Sequence, residues 1–268
     1  MTILNVLSYN TLFAGRDGDD DGRARAQTEW IHELRPDVFL MQEAKAFEAH
    51  GGAELFAMER KIGMRGFLAS APRTGQNIVI FLREPLHPLG FEADTTHFHH
   101  TLATLQVAVP GAEQPITFVS VHLCAHGVEA RRREAAYLAL LAAPQRLTLV
   151  AGDFNSASPH DTEPADWEAL PPHHRARYLS DDLRSIDRSV LARLEAAGWV
   201  DLGDRLDPGR TPTVPTCAYR DAEFATMRCD YLLASAALAD KARSYRVIRD
   251  TITETASDHY PIFATFEV

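Results

Sequence analysis

The sequence predicts an α+β fold in which antiparallel or mixed β-sheets are covered by helices. Apolar runs of strand length are interspersed with helical stretches. Several strands succeed one another with only a short connection, and no strict strand–helix alternation runs through the chain. No repeat, low-complexity tract or linker divides the 268 residues, so a single domain spanning 1–268 is expected. Hydrophobic residues make up 46% of it, enough to bury a sizeable core without cross-links.

The elements follow in order. Residues 3–9 read as a half-buried strand, and 17–22 as a glycine- and aspartate-rich loop. Residues 23–34 form a helix with Ala26, Trp30, Ile31 and Leu34 on one face, stopped by Pro36. A short buried strand at 38–41 leads directly into Gln42-Glu43, and a helix covers 53–62. Strands follow at 77–83, 101–109 and 116–123, the last two joined across Pro110-Gly111 as a hairpin-type connection. A helix over 128–141 precedes a strand at 147–151. The stretch 159–182, rich in Pro, His and acid, has no period and reads as a loop. Helix returns at 185–197, and strands close the chain at 229–234, 244–249 and 262–267.

The formal net charge of −10 bears on partners. Binding to duplex DNA rests on Lys and Arg contacts to phosphate, which an acidic chain supplies poorly. The local basic candidates, Arg131-Arg132-Arg133 and the 173–177 stretch, read as a solvated helix face and a polar loop. The balance favours a compact phosphorylated substrate over a long polymer. No apolar stretch approaches the roughly 20 residues that cross a bilayer. No basic segment precedes an apolar region at the start, so neither membrane insertion nor a signal peptide is expected. Cys124, Cys217 and Cys229 are scattered without metal-site spacing, which points to a reducing, cytoplasmic setting. A monomer is the default expectation.

The chemistry-bearing residues stand at strand ends. Ala151-Gly152-Asp153-Phe154-Asn155-Ser156 follows an apolar run and puts a carboxylate and a carboxamide two positions apart, where extended side chains point the same way. Asn10, Glu43 and His122 stand at the ends of three other strands. Asp230 opens a strand, and Ser257-Asp258-His259 precedes the last one. Carboxylates, carboxamides and histidines without cysteine suit a hard divalent cation, Mg²⁺ or Mn²⁺, and such a set is what phosphoester hydrolysis needs. Singly, each residue has an ordinary structural explanation: a turn former for Asn10, a helix-start acid for Glu43, an Asx turn for Asp153 to Asn155.

Taken in order, Tyr9-Asn10, Met41-Gln42-Glu43, Val121-His122-Leu123, Gly152-Asp153-Phe154-Asn155, Arg228-Cys229-Asp230-Tyr231 and Ser257-Asp258-His259 resemble the endonuclease/exonuclease/phosphatase superfamily over essentially the whole chain. The resemblance implies a DNase I-like four-layer αββα sandwich, two mixed sheets flanked by helices. It implies that Glu43 is the principal metal carboxylate, with Asn10 and Asp258 contributing directly or through water. Asp153 would orient or deprotonate the attacking water, and Asn155 would hold the phosphoryl group. His259 would bind the scissile phosphate or move a proton, kept in its tautomer by Asp230. His122 would stabilise or protonate the leaving group. Tyr219 occupies a region where relatives place a substrate element.

Branch-specific patterns are missing. Leu12 stands where abasic-site nucleases carry an Asp, and the inositol phosphatase signature is absent. Gln76-Asn77 reads as structural. The 97–100 histidine cluster and the acid run 17–21 read as surface loops, and His126 either faces the cleft or starts the next helix. The expected activity is a metal-dependent phosphodiesterase acting on a small or lipid-like phosphoester. The alternatives are a DNA or RNA nuclease, and a biosynthetic hydrolase acting on a non-phosphate substrate.

Overall fold

The computed structural model describes residues 2–18, 20–220 and 223–268. Its strands form two six-stranded mixed sheets. The first runs in the order β11 (Ala242–Val247), β12 (Ile262–Glu267), β1 (Ile3–Asn10), β2 (Val38–Gln42), β4 (Ile78–Leu82), β3 (Arg65–Ala69). The second runs β5 (His87–Asp94), β6 (Leu102–Ala108), β7 (Ile116–His122), β8 (Leu147–Asp153), β10 (Asp230–Ala234), β9 (Val200–Asp201). Among the described residues, only the central pairs β1–β2 and β7–β8 are parallel. Helices α1 (Gly22–Leu34) and α2 (Ala53–Ile62) cover the first sheet, and α3 (Val128–Ala139) covers the second together with α5 (Ser189–Ala196). Single-turn helices α4 (Pro172–Arg175), α6 (Leu202–Leu206), α7 (Ala236–Ala239) and α8 (Thr253–Ala256) sit in the connections.

The two-residue period of an extended chain explains how this frame makes a site. In β1, Leu4 and Val6 belong to the core between the sheets, while Leu7 and Tyr9 pack outward with Ile31, Leu55 and Met58. In β8, Leu147, Leu149 and Ala151 face inward, and Val150 faces the outer layer with Leu138 and Leu194. Extending the inward parity to the strand ends passes Ser8, Gln42 and Ser120 and reaches Asn10, His122 and Asp153. Gln42 Nε2 donates to Ser120 Oγ across the sheets at 3.0 Å, and to Ser8 Oγ at 3.3 Å. A polar layer thus separates the apolar core from the mouth.

Gly152 has a backbone conformation in which any side chain would run into the neighbouring strand β7. Its φ is +143°, and an added Cβ would lie 1.9 Å from the Val121 carbonyl oxygen. That places the glycine one residue before Asp153 for a steric reason.

The strands missed by sequence patterning are β3, β5 and β9, each at or beside a sheet edge. β5 carries Pro88 and Gly90 with a register shift between them, features that edges tolerate and that erase alternation. β11 begins two residues earlier than expected, and α5 four residues later, because Ile186 bridges to Leu179. The 159–182 stretch is ordered by its own apolar cluster, including Trp167, Leu170 and Tyr178. It is tied to the second sheet by Arg228, a buried side chain that bonds both Asp161 and Asp201 at 2.9 Å. Irregular single turns pack there without any period to read.

Gly152→Ala is expected to destabilise by more than about 3 kcal/mol, measured by denaturant unfolding, because backbone must move. Arg228→Ala is expected to cost about 3–5 kcal/mol in the same measurement, since it leaves the Asp201 carboxylate buried without its cation.

Candidate active site

Strand register gathers the polar ends. Asp153 lies level with His122 on one side and with Asp230 on the other. On the first sheet, β12 runs antiparallel to β1 with Ile262 opposite Ser8, which brings His259 beside Asn10. The Ser257 hydroxyl donates to the Asn10 carbonyl at 2.7 Å, and Thr216 Oγ1 donates to the Ser257 carbonyl, fixing this junction.

Asp153 is the centre. Its Oδ2 accepts from Asn10 Nδ2 at 3.2 Å and Asn155 Nδ2 at 3.2 Å, and lies 3.4 Å from His122 Nε2 and 3.6 Å from His259 Nε2. Its Oδ1 accepts from the Asn155 amide at 2.8 Å. His259 Nδ1 meets Asp230 Oδ2 at 2.8 Å, while Thr213 Oγ1 holds the Asp230 amide at 3.1 Å. Glu43 accepts from Asn10 Nδ2 at 3.3 Å and from the Phe13 amide at 3.0 Å. Asn10, Glu43, His122, Asp153, Asn155, Asp230 and His259 therefore form one buried cluster. Asp258 is half-buried beside it and acts on Glu43 through its charge. Tyr219 stands further out, half-buried in a turn at Cys217–Tyr219, near the charges of Arg23, Asp17 and Asp258.

The electrostatics divide the histidines. Burial alone would lower the His259 imidazole, but the carboxylates of Asp230, Asp153 and Asp258 override it and hold it well above its ordinary range. Burial and the neighbouring imidazoles hold His122 well below. Burial pushes Asp153 up to about 7, against the pull of His259, and raises Glu43, assisted by the Asp258 charge. Four carboxylates thus face one imidazolium. No Lys or Arg is bonded to any residue of the cluster among the described residues. This surplus of buried anionic oxygen fits a hard divalent cation; ligand atoms of Asp153, Asp230 and His259 lie within 4.8 Å of one another, and Glu43 is bonded to Asn10 and feels the Asp258 charge.

Local backbone strain surrounds the cluster. Leu12, Phe13 and Ala14 have φ of +46°, +57° and +58°, Glu43 +59° and Asn155 +47°. Asn77 braces the Glu43 turn by donating to the Ala44 carbonyl at 3.0 Å and accepting from the Ala71 amide at 2.7 Å, the structural role its position suggested.

One residue of the cluster was not anticipated. His100, assigned with the rest of 97–100 to a surface loop, is buried and stacks on His122 with ring centres 4.4 Å apart. Its Nδ1 meets Thr74 Oγ1 at 2.8 Å, and burial lowers it to about 3. The signal was its place just before a strand that pairs antiparallel with the one ending in His122, since Leu102 lies opposite Val121. His126 lies on the exposed turn after β7 beside His99 and Cys124, close enough to act on His100 through its charge.

The basic stretches are largely occupied internally. Arg131, expected on a solvated face, is buried and donates to Ser156 Oγ and to the carbonyls of Cys124 and Arg177. Arg132 pairs with Asp181 and Asp187, Arg175 with Glu168, and Arg177 with Glu223. The Asp17 carboxylate meets Arg23 at 2.7 Å, so the acid run is partly neutralised by the chain itself; Asp19 lies outside the described residues. No helix among the described residues is long and apolar enough to cross a membrane.

The same architecture is found in solved structures. An AP endonuclease from Archaeoglobus fulgidus is 20% identical, with a TM-score of 0.71 over 99% of this chain and 100% of that one. TDP2 of D. rerio, complexed with a single-strand DNA product, is 18% identical at a TM-score of 0.69, each chain covered completely. A mannosyl-6-phosphatase of Bacteroides thetaiotaomicron is 16% identical at 0.69, over 97% and 98%. No curated protein matches the chain in sequence. Residues 7–259, which include every residue of the cluster, match the Endonuclease/Exonuclease/phosphatase family. The chain belongs to that family of phosphoester hydrolases.

Proposed function

We propose that the whole chain is one catalytic unit, a Mg²⁺- or Mn²⁺-dependent phosphodiesterase acting on a compact phosphoester, small-molecule or lipid-like. The observation that carries this reading is the charge inventory of the cleft: one imidazolium and neutral carboxamide donors, with no guanidinium or ammonium bonded to them among the described residues. A diester phosphoryl group carries one negative charge and a terminal monoester close to two, and a cleft whose own side chains set four carboxylates against one imidazolium disfavours the more highly charged monoester. The internal pairing of Arg132, Arg175 and Arg177 weighs against a long polyanion.

Glu43, with Asp258 and Asn10, would hold the cation. When bound, the cation supplies charge neutralisation at the phosphoryl oxygens. Asp153, raised by burial, would take the proton of the attacking water. Asn155 would turn its carboxamide to the phosphoryl group, and the His259 imidazolium would bind a phosphoryl oxygen or return a proton. Asp230 accepts the Nδ1 proton of His259 in a hydrogen bond and so leaves Nε2 directed at the reaction. His122, neutral and backed by His100, would stand at the leaving-group side. Tyr219 would meet the substrate outside the cluster.

A nuclease is the second reading. It is favoured by the partly exposed Phe13, with Lys45 Nζ 4.6 Å from its ring centre, on the chain that bonds Glu43. An aromatic face under a cation suits a nucleobase and its phosphate.

After chelation, a panel of diesters, monoesters, oligonucleotides and carboxylic esters assayed with Mg²⁺, Mn²⁺ and Ca²⁺ separates these readings. The expected result is fastest cleavage of small diesters with Mg²⁺ or Mn²⁺. Oligonucleotide cleavage that is faster and falls steeply with salt would favour the nuclease. Glu43→Gln and His259→Ala are expected to lower turnover by at least about 100-fold with the circular dichroism spectrum unchanged. In the chelated protein, NMR titration should find the His259 ring still protonated above about pH 6.5, the ordinary imidazole value. The stability this pairing contributes is complete below that pH and is lost as pH rises through the folded-state value. Asp230→Asn should move the titration downward.

A further inference from the structure

We propose that Cys124, His99 and His126 form a second metal site, distinct from the oxygen-ligand cleft and suited to a borderline-soft divalent cation such as Zn²⁺. Their ligand atoms all lie within 4.8 Å of one another, with Cys124 Sγ 3.7 Å from His126 Nδ1 and the two imidazole centres 5.1 Å apart. Zinc bond lengths to sulfur and nitrogen imply ligand separations of about 3.5 Å, so closure needs a movement of about an ångström. His126, exposed on the turn between β7 and α3, can supply it.

The other two ligands are already positioned. One buried carboxylate, Glu134 of α3, accepts the backbone amide of His99 at 2.6 Å through Oε1 and that of Cys124 at 2.9 Å through Oε2. Arg131 holds the Cys124 carbonyl at 2.9 Å. The residues come from separate segments, the loop after β5 and the turn after β7. A single side chain of a third element therefore fixes their spacing, which is how a ligand set is pre-organised. The Cys-x-His spacing of 124 and 126 is silent as a sequence signal because the third ligand lies 25 positions earlier in the chain.

The donor set decides the metal. One sulfur and two imidazoles select zinc or a late transition metal over Mg²⁺ or Mn²⁺, which the all-oxygen side of the cleft suits. On binding, the thiol releases its proton to solvent and the thiolate and two neutral imidazoles occupy three positions. The fourth stays open to water because the face carrying His126 is exposed. The site also borders the cleft: the His99 ring lies 4.8 Å from that of His100, which stacks on His122. A bound cation would fix the loop that carries His100.

The test uses the full chain with Cys217→Ser, which removes the exposed thiol, in excess Mg²⁺ to fill the oxygen-ligand cleft. Titration with Co²⁺ should develop a thiolate-to-cobalt charge-transfer band in the near ultraviolet that saturates at one equivalent and is displaced by Zn²⁺. Cys124→Ser should abolish the band and weaken Zn²⁺ binding, read by calorimetry, by at least about tenfold. Absence of the band, or its survival in Cys124→Ser, overturns the proposal. Should Cys124→Ser fail to fold, His126→Ala at an exposed position decides: a tenfold loss of Zn²⁺ affinity supports the site, and an unchanged affinity overturns it.

Discussion

The arrangement of this protein depends on a surplus of buried negative charge. Glu43, Asp153 and Asp230 are buried and Asp258 half-buried, with one imidazolium among them. Burying carboxylates is costly unless they are paired or bind a cation. Everything beneath them serves to keep them together. The Gln42, Ser8 and Ser120 hydrogen bonds join the sheets just below, and the parallel register of β7 and β8, which passes through the side-chain-free Gly152, sets Asp153 level with His122.

The histidines show how position alone assigns chemistry. His259 and His122 lie within reach of the same Asp153 oxygen, yet one is held charged and the other neutral. The difference is the second neighbour: the Asp230 carboxylate for His259, the neutral His100 ring for His122. Opposed shifts on adjacent groups are what acid–base work requires.

The central strands and the positions at their ends were readable in the sequence because both faces of those strands are buried and their ends abruptly turn polar. That is a local signal, visible at Tyr9-Asn10, Met41-Gln42-Glu43 and Gly152-Asp153. The edge strands β3 and β5 were not readable, because an edge has one neighbour and tolerates Pro88 and Gly90. His100 and the clamp by Glu134 were hidden for another reason. Each works through a contact between segments far apart in sequence, which composition and spacing do not encode. The buried Arg131 misled in the same way, since a run of arginines resembles an exposed face until its internal acceptors are known.

The left-handed residues Leu12, Phe13, Ala14, Glu43 and Asn155 carry a thermodynamic consequence. Each such conformation costs on the order of 1–3 kcal/mol in a residue with a side chain, and all five lie at one end of the sandwich. Such conformations persist only where neighbours hold them, as the side chains of Asn10, Glu43 and Asp153 do by accepting the amides of Leu12, Phe13 and Asn155. A ligand that engages those side chains only in the folded arrangement therefore adds its binding free energy to the strained end and raises the melting temperature.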